Sequence, residues 1–286
     1  MKIQKVEKAI FYMVVYAISH SIMLATVRLL SVELSTSTLL FFKNLFALLF
    51  IFPLLIKKKN RLFETQQLNL HLIRALAAFV GGVSIFYALS TIPLTLVVSI
   101  TFSAPIFASI FAYMVLKENF TIAKMISLSL GLIGVVVLLR PAMSSDITGV
   151  LAAFMAAIMT AIAFITVKRL SIIDDPETVM VFPFILLLPL SAIMAIFDWT
   201  TPSLSQLPFL LLIGVGICVS QYCMVKAFSL ADASSLLPID FIKLIMASAI
   251  GAMFFGDKVD GWNIAGGTII LIGTFALFAN KRGIHK

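Results

Sequence analysis

Charge is what this sequence has least of. Only 12% of its 286 residues are Asp, Glu, Lys or Arg, about half the ~25% usual in soluble domains. With 61% hydrophobic residues and a mean hydropathy of +1.12, that scarcity excludes an ordinary water-soluble enzyme and points to an integral membrane protein. Acidic residues are scarcer than basic ones, 13 against 21. The resulting net charge of +8 does not imply a nucleic-acid partner, because the Lys and Arg residues sit mainly in short segments between apolar runs, as positive-inside topology requires. Cys218 and Cys223 are the only cysteines. Five positions apart in an apolar run, they share no helix face well and read as packing residues rather than a disulfide or metal site. Also missing are a His-Glu-x-x-His zinc motif, a Gly-x-Ser-x-Gly elbow and a Gly-x-x-x-x-Gly-Lys phosphate loop. These absences argue against an intramembrane enzyme and a primary pump, so no catalytic residue, cofactor or metal is expected. A channel or lipid scramblase stays open as a different class. The opening MKIQKVEK leads into an apolar run with no small-residue cleavage site and reads as the start of a retained helix, not a signal peptide.

What is present is a series of ten apolar segments: 9–30, 38–56, 72–91, 94–116, 122–139, 149–167, 178–197, 208–230, 234–255 and 262–280. Roughly 20 apolar residues at 1.5 Å rise cross a bilayer core, and lipid obliges each segment to satisfy its own backbone, so helices are expected. Lys2, Lys5 and Lys8, then Lys57, Lys58, Lys59, Arg61 and Arg74, then Lys117 and Lys124, Lys168 and Arg169, and finally Lys281, Arg282 and Lys286 all fall on one side if the helices number ten. Arg28, Arg140 and Lys258 lie near the opposite ends. The expected fold is an all-α integral membrane protein of ten transmembrane helices, with both termini cytoplasmic.

The chain also repeats itself. At one constant offset Ala88 meets Ala227, Ser90 meets Ser229, Phe102 meets Phe241, Glu118 meets Asp257 and Gly134 meets Gly273. TVRLLS at Thr26–Ser31 matches TVKRLS at Thr166–Ser171, one residue out of that register. Two repeats, 1–145 and 146–286, are expected. Five helices per repeat is an odd number, so the copies insert in opposite senses. Inverted repeats are a common plan of secondary transporters, with the substrate held near the midplane between the halves.

Four stretches carry a resemblance: FFKNLFALL at Phe41–Leu49, RALAAFVGGVSIFYAL at Arg74–Leu89, FSAPIFASIFAYMVLKE at Phe102–Glu118 and LLPIDFIKLIMASAIGAMFFGD at Leu236–Asp257. With the duplicated ten-helix pattern, they resemble the EamA family of the drug/metabolite transporter superfamily over nearly the whole chain. The resemblance implies alternating-access transport of a small polar metabolite in the cell (inner) membrane. The ninth segment and the segment after it resemble the family's S-adenosylmethionine uptake carriers, with an amino-acid or drug exporter as the competing reading. Lys43 and Lys243 stand where such proteins often carry Arg. A lysine is a point charge and lacks the fork that holds a carboxylate with two bonds.

Within the segments, polar residues mark candidate sites. Asp240 and Lys243, three apart on one helix face, either neutralise each other inside the bundle or line a cavity and engage substrate or a coupling ion. His20 lies near the middle of the first segment and could relay protons or simply bond to a neighbouring helix, with Ser19 and Ser21 as local polarity. Lys43, beside Asn44, either snorkels outward or faces a cavity as an anion-attracting cation. Gln221 needs a hydrogen-bond partner, and Tyr222 offers a ring and a hydroxyl to an aromatic or sulfonium-bearing ligand. Lys226 is expected to snorkel. Pro105 interrupts the fourth segment and could form a gate; Pro183 and Pro189 kink the seventh. Pro238 is a helix starter. Glu118 and Asp257 end helices in short turns. Gly81, Gly82, Gly131, Gly134, Gly266 and Gly267 allow close helix contact. Should the fifth and tenth helices meet a second subunit, Gly131, Gly134 and Gly273 would be the contact points of a homodimer.

Overall fold

The apolar runs become helices because a backbone in lipid must bond within its own segment. The structure, a computed structural model, describes residues 2–58, 65–101, 103–117, 121–139, 146–254, 261–262, 264–266, 268–269 and 272–273. Among them the regular elements are all helical. They are α1 (Lys2–Leu30), α2 (Thr36–Lys58), α3 (Leu68–Thr91), α4 (Leu94–Thr101), α5 (Ala104–Leu116), α6 (Ile122–Leu139), α7 (Ile147–Ile173), α8 (Pro176–Phe197), α9 (Leu207–Leu230), α10 (Ala233–Leu236), a 3-10 segment at Leu237–Phe241, and α11 (Ile242–Phe254). Six helices, α1, α2, α3, α7, α8 and α9, are long and apolar enough to cross a membrane. The protein is a multi-pass membrane protein. The tenth apolar segment lies mostly outside the described residues, as do Glu118, Asp257, Lys59, Arg61, Arg140, Lys258, Gly267, Lys281, Arg282 and Lys286.

Two segments expected to be single helices are broken. The fourth is split, with α4 ending at Thr101 and Pro105 in the first turn of α5. A proline has no N–H to continue an i to i−4 ladder, so a continuous helix through this position is disfavoured. The ninth is divided into α10, the 3-10 segment and α11, with Pro238 in the first turn of the 3-10 segment. In the repeat register Thr101 corresponds to Asp240, so both breaks fall at matching positions. Helix α4 packs on α11, and α5 packs on α10 and the 3-10 segment.

Helix contacts come in reciprocal pairs. Helix α1 lies along α9 and α3 along α7; α2 packs on α9 and α3 on α8; α5 packs on α7 and α11 on α1. One pair of caps obeys the same relation. The Arg28 guanidinium donates to the Leu89 carbonyl at the end of α3. Lys168 Nζ donates to Phe228 O at 2.9 Å and Ala231 O at 2.8 Å at the end of α9. Arg28 and Lys168 occupy the same third position of the matching TVRLLS and TVKRLS stretches. Each satisfies the orphan carbonyls of a helix C-terminus, so neither behaves as a free loop charge.

Glycines set the closest crossings. A Cβ on Gly81 would meet Met159 Cβ at 3.0 Å where α3 crosses α7. One on Gly214 would lie 2.4 Å from Phe46 Cβ, so α9 approaches α2 there only because it has no side chain. Gly273 packs on α6, with its carbonyl accepting from Ser127 Oγ at 2.6 Å and its hypothetical Cβ 2.9 Å from Leu130 Cβ and 3.4 Å from the Gly131 nitrogen. Gly131 and Gly273 therefore meet within one chain.

Candidate functional site

Helices α1, α2, α3, α7, α8 and α9 surround a cavity of about 130 Å³. Most of its wall is apolar, with Phe86, Phe164, Phe184 and several methionines. Tyr16 and His20 come from α1, Lys43 from α2, Arg74 from α3, Thr160 from α7 and Gln221 from α9. Among the described residues the wall includes no Asp or Glu.

The two wall cations are used differently. Arg74 is 3% exposed; its guanidinium donates to the Val179 carbonyl of α8 and, at 3.0 Å, to Gln221 Oε1 of α9. It ties three helices together. Lys43 is 7% exposed and lies 5.5 Å from the centre of the Phe86 ring. A Cβ on Gly82 would stand 3.7 Å from its Nζ, so the glycine leaves room beside the ammonium. Lys43 does not snorkel out of the fold. The His20 ring lies 5.5 Å from that of Tyr16, and its Nδ1 has no partner among the described residues. Ser19 and Ser21 bond back to Val15 O at 2.7 Å and Ala17 O at 2.8 Å in their own helix. They do not reach the imidazole.

Asp240 and Lys243 form an ion pair, Oδ2 to Nζ 2.7 Å, at the break in the ninth segment. Asp240 is 2% exposed. Lys243 Nζ donates to Tyr16 OH at 3.3 Å and sits 5.0 Å from the Tyr16 ring and 6.0 Å from the Phe164 ring. Tyr16 and Phe164 are both wall residues, so the pair stands behind the wall, one side chain from the cavity. Asn44 binds elsewhere: its amide donates to Ser191 Oγ at 3.0 Å and Leu187 O at 3.4 Å, joining α2 to α8. Tyr222 is exposed; its ring packs edge-on against Tyr12 and lies 5.5 Å from Lys226 Nζ. Lys226 itself approaches Glu177 at 4.0 Å. Pro105 lies in the first turn of α5, at the other break. Pro183 is on the cavity wall.

The sequence reading missed Arg74, Tyr16 and Phe164 as wall residues. It started the third helix at residue 72, which put Arg74 in the opening turn and made it count as a topology cation. Helix α3 starts at Leu68, which puts Arg74 nearly two turns in. The signal available was that a buried cation deep in a helix needs partners on neighbouring helices.

Two polar clasps join the halves at opposite ends of α2. At its first turn, Ser37 Oγ donates to Asp198 O at 2.8 Å, and the Thr200 amide donates to Thr38 Oγ1 at 3.0 Å. Beyond its last turn, Asp174 Oδ2, at the end of α7, accepts from Thr65 Oγ1 at 2.8 Å and lies 2.7 Å from His71 Nε2. His71 is fully buried beneath the Phe182 ring, 4.4 Å away. Cys218 donates its thiol to Ala47 O at 3.3 Å; Cys223 is buried, and both are free. Among the described residues no group of His, Cys, Asp and Glu could hold a metal.

A multi-pass helical membrane protein with a largely apolar cavity that holds a few buried polar groups has the makings of a small-molecule carrier. The EamA-like transporter family matches the sequence twice, over residues 7–140 and 147–279. The chain belongs to that family, whose members are transporters and not enzymes. It is 26% identical over 260 residues to an S-adenosylmethionine uptake transporter of Rickettsia bellii, covering 91% of this chain and 89% of the relative. It is 31% identical over 212 residues to a riboflavin transporter of Vibrio cholerae, covering 73% and 71%. It is 25% identical over 286 residues to the pseudopaline exporter CntI of Pseudomonas aeruginosa, covering 99% and 100%. One solved crystal structure superposes with a TM-score of 0.73 at 15% identity, covering 99% of this chain and 98% of the other, a likeness of fold alone.

Proposed function

We propose that this protein is a secondary transporter of the cell (inner) membrane that moves a small polar metabolite by alternating access. Its two five-helix repeats, 1–145 and 146–286, are inverted relative to each other, giving ten transmembrane helices with both termini cytoplasmic. The observation that carries this reading is the cavity itself, lined from both halves and holding buried polar groups. The matching helix breaks and the reciprocal helix contacts support the inverted arrangement. Each clasp in turn would open one mouth while the other stays shut.

His20, Lys43 and Gln221 face the substrate in this reading. Asp240 and Lys243 brace the break behind Tyr16 and pass movement of the wall to it. S-adenosylmethionine is the first substrate to try, because relatives bearing that name match nine-tenths of the chain. An amino-acid or drug exporter is the alternative within the family. The test is uptake of labelled S-adenosylmethionine, riboflavin and amino acids into proteoliposomes, with and without the same compound inside. Saturable uptake stimulated from inside is expected for at least one compound. Flux that rises linearly with concentration would indicate a channel, and no flux for any compound would remove the reading.

A further inference from the structure

We propose that Lys43 is the docking point for a carboxylate, and that the substrate belongs to the carboxylate-bearing metabolites. The inference rests on the transporter reading only for what the ligand is for; the site itself is argued from the cavity.

A buried ammonium is costly unless an acceptor or counter-charge meets it. The other cations at the centre have such partners. Arg74 has the Val179 carbonyl and Gln221. Lys243 has Asp240 and the Tyr16 hydroxyl. Lys43 has no hydrogen bond or ion pair among the described residues: its neighbours are the Phe86 ring and the His20 imidazole, which carries no negative charge, and it faces the cavity. Among the described residues none on the wall is acidic, so the space in front of Lys43 carries net positive charge from Lys43 and Arg74. Gly82 keeps the approach to the Nζ clear, since even a methyl there would stand 3.7 Å from it. A carboxylate entering the cavity would supply the missing acceptor as a charge-assisted hydrogen bond. The rest of the wall, with Tyr16, Phe164, Phe86 and Phe184, suits an apolar or flat body attached to that carboxylate.

This separates the ligands named for the relatives. S-adenosylmethionine carries a carboxylate on its amino-acid end, whereas riboflavin carries none. The test uses purified full-length protein in detergent and reads ligand affinity by thermal shift at constant ionic strength. The probes are matched pairs that differ in the α-carboxylate, S-adenosylmethionine with its decarboxylated analogue and phenylalanine with phenylalaninamide, plus riboflavin alone. At least one acid is expected to bind, and to bind about tenfold or more tighter than its partner lacking the carboxylate. Lys43→Gln should erase the preference, and Lys43→Arg should keep it. The ligand-free melting temperature of each variant reports whether it has folded, and the matched pairs on the natural protein need no variant at all. Equal binding of acid and partner, tighter binding of riboflavin than of every acid, binding of no acid, or a preference that survives in folded Lys43→Gln would each overturn the proposal. An acid preference without transport in proteoliposomes would leave the site standing and remove the transporter reading.

Discussion

Asp240 Oδ2 lies 2.7 Å from Lys243 Nζ, and the pair spans the point where the 3-10 segment passes into α11. Both charges are largely withdrawn from solvent, with side-chain exposures of 3% and 11%. Their value is mutual: removing one leaves the other buried and uncompensated, at a cost of roughly 3–5 kcal/mol. Asp240→Asn should therefore lower the melting temperature by several degrees. Replacing both, Asp240→Asn with Lys243→Gln, should recover most of the loss. A single variant that melts with the natural protein would deny the pair its bracing role.

Gln221 offers a sharper probe of the cavity. Its Oε1 accepts from Arg74 at 3.0 Å. Gln221→Glu is nearly isosteric and converts that bond to an ion pair, cancelling one of the two positive charges on the wall. The ligand-free protein should melt no lower, while affinity for acidic ligands should fall by about tenfold or more. Thermal shift with the same acids checks both; unchanged acid affinity would mean that the net charge of the wall does not select the ligand.

Gly214 tests the packing that holds the cavity walls in place. An added methyl would lie 2.4 Å from Phe46 Cβ and 3.1 Å from the Phe46 carbonyl carbon, with backbone behind it, so α9 and α2 must separate. Gly214→Ala should cost about 1–3 kcal/mol, the usual range for overpacking. Gly261→Ala, where an added methyl meets nothing within 4 Å among the described residues, should leave the melting temperature unchanged. Equal melting of the two variants would contradict the close crossing.

Much of this was legible in the sequence because lipid leaves the chain few choices. Long apolar runs had to be helices, and the TVRLLS and TVKRLS stretches pointed to duplication. Arg28 and Lys168 in them, counted as topology signals, are caps on α3 and α9, a role that depends on which helix end lies beside them and so cannot be read along one strand of sequence. Lys43, His20 and Gln221 were found as polar residues in apolar surroundings, a one-dimensional signal. Asn44 and Tyr222 gave the same signal and point elsewhere, because direction on a helix that is apolar all round cannot be taken from periodicity. Arg74 was hidden by a helix start placed four residues late. The two helix breaks were masked by continuous hydropathy, and only Pro105 and Pro238 hinted at them.

Alternating access requires the cavity to open to each side of the membrane in turn, through the clasp of Ser37 with Asp198 at one end and of Asp174 with His71 at the other. The direct measurement is two-sided labelling of a cavity cysteine, Ala78→Cys with Cys218 and Cys223 replaced by Ser, using a membrane-impermeant maleimide in oriented vesicles. Ala78 lines the cavity. The cysteine should react from both sides, and adding Asp174→Asn should speed labelling from the Asp174 end while slowing it from the Asp198 end. Labelling from one side only, unmoved by Asp174→Asn, would contradict alternating access.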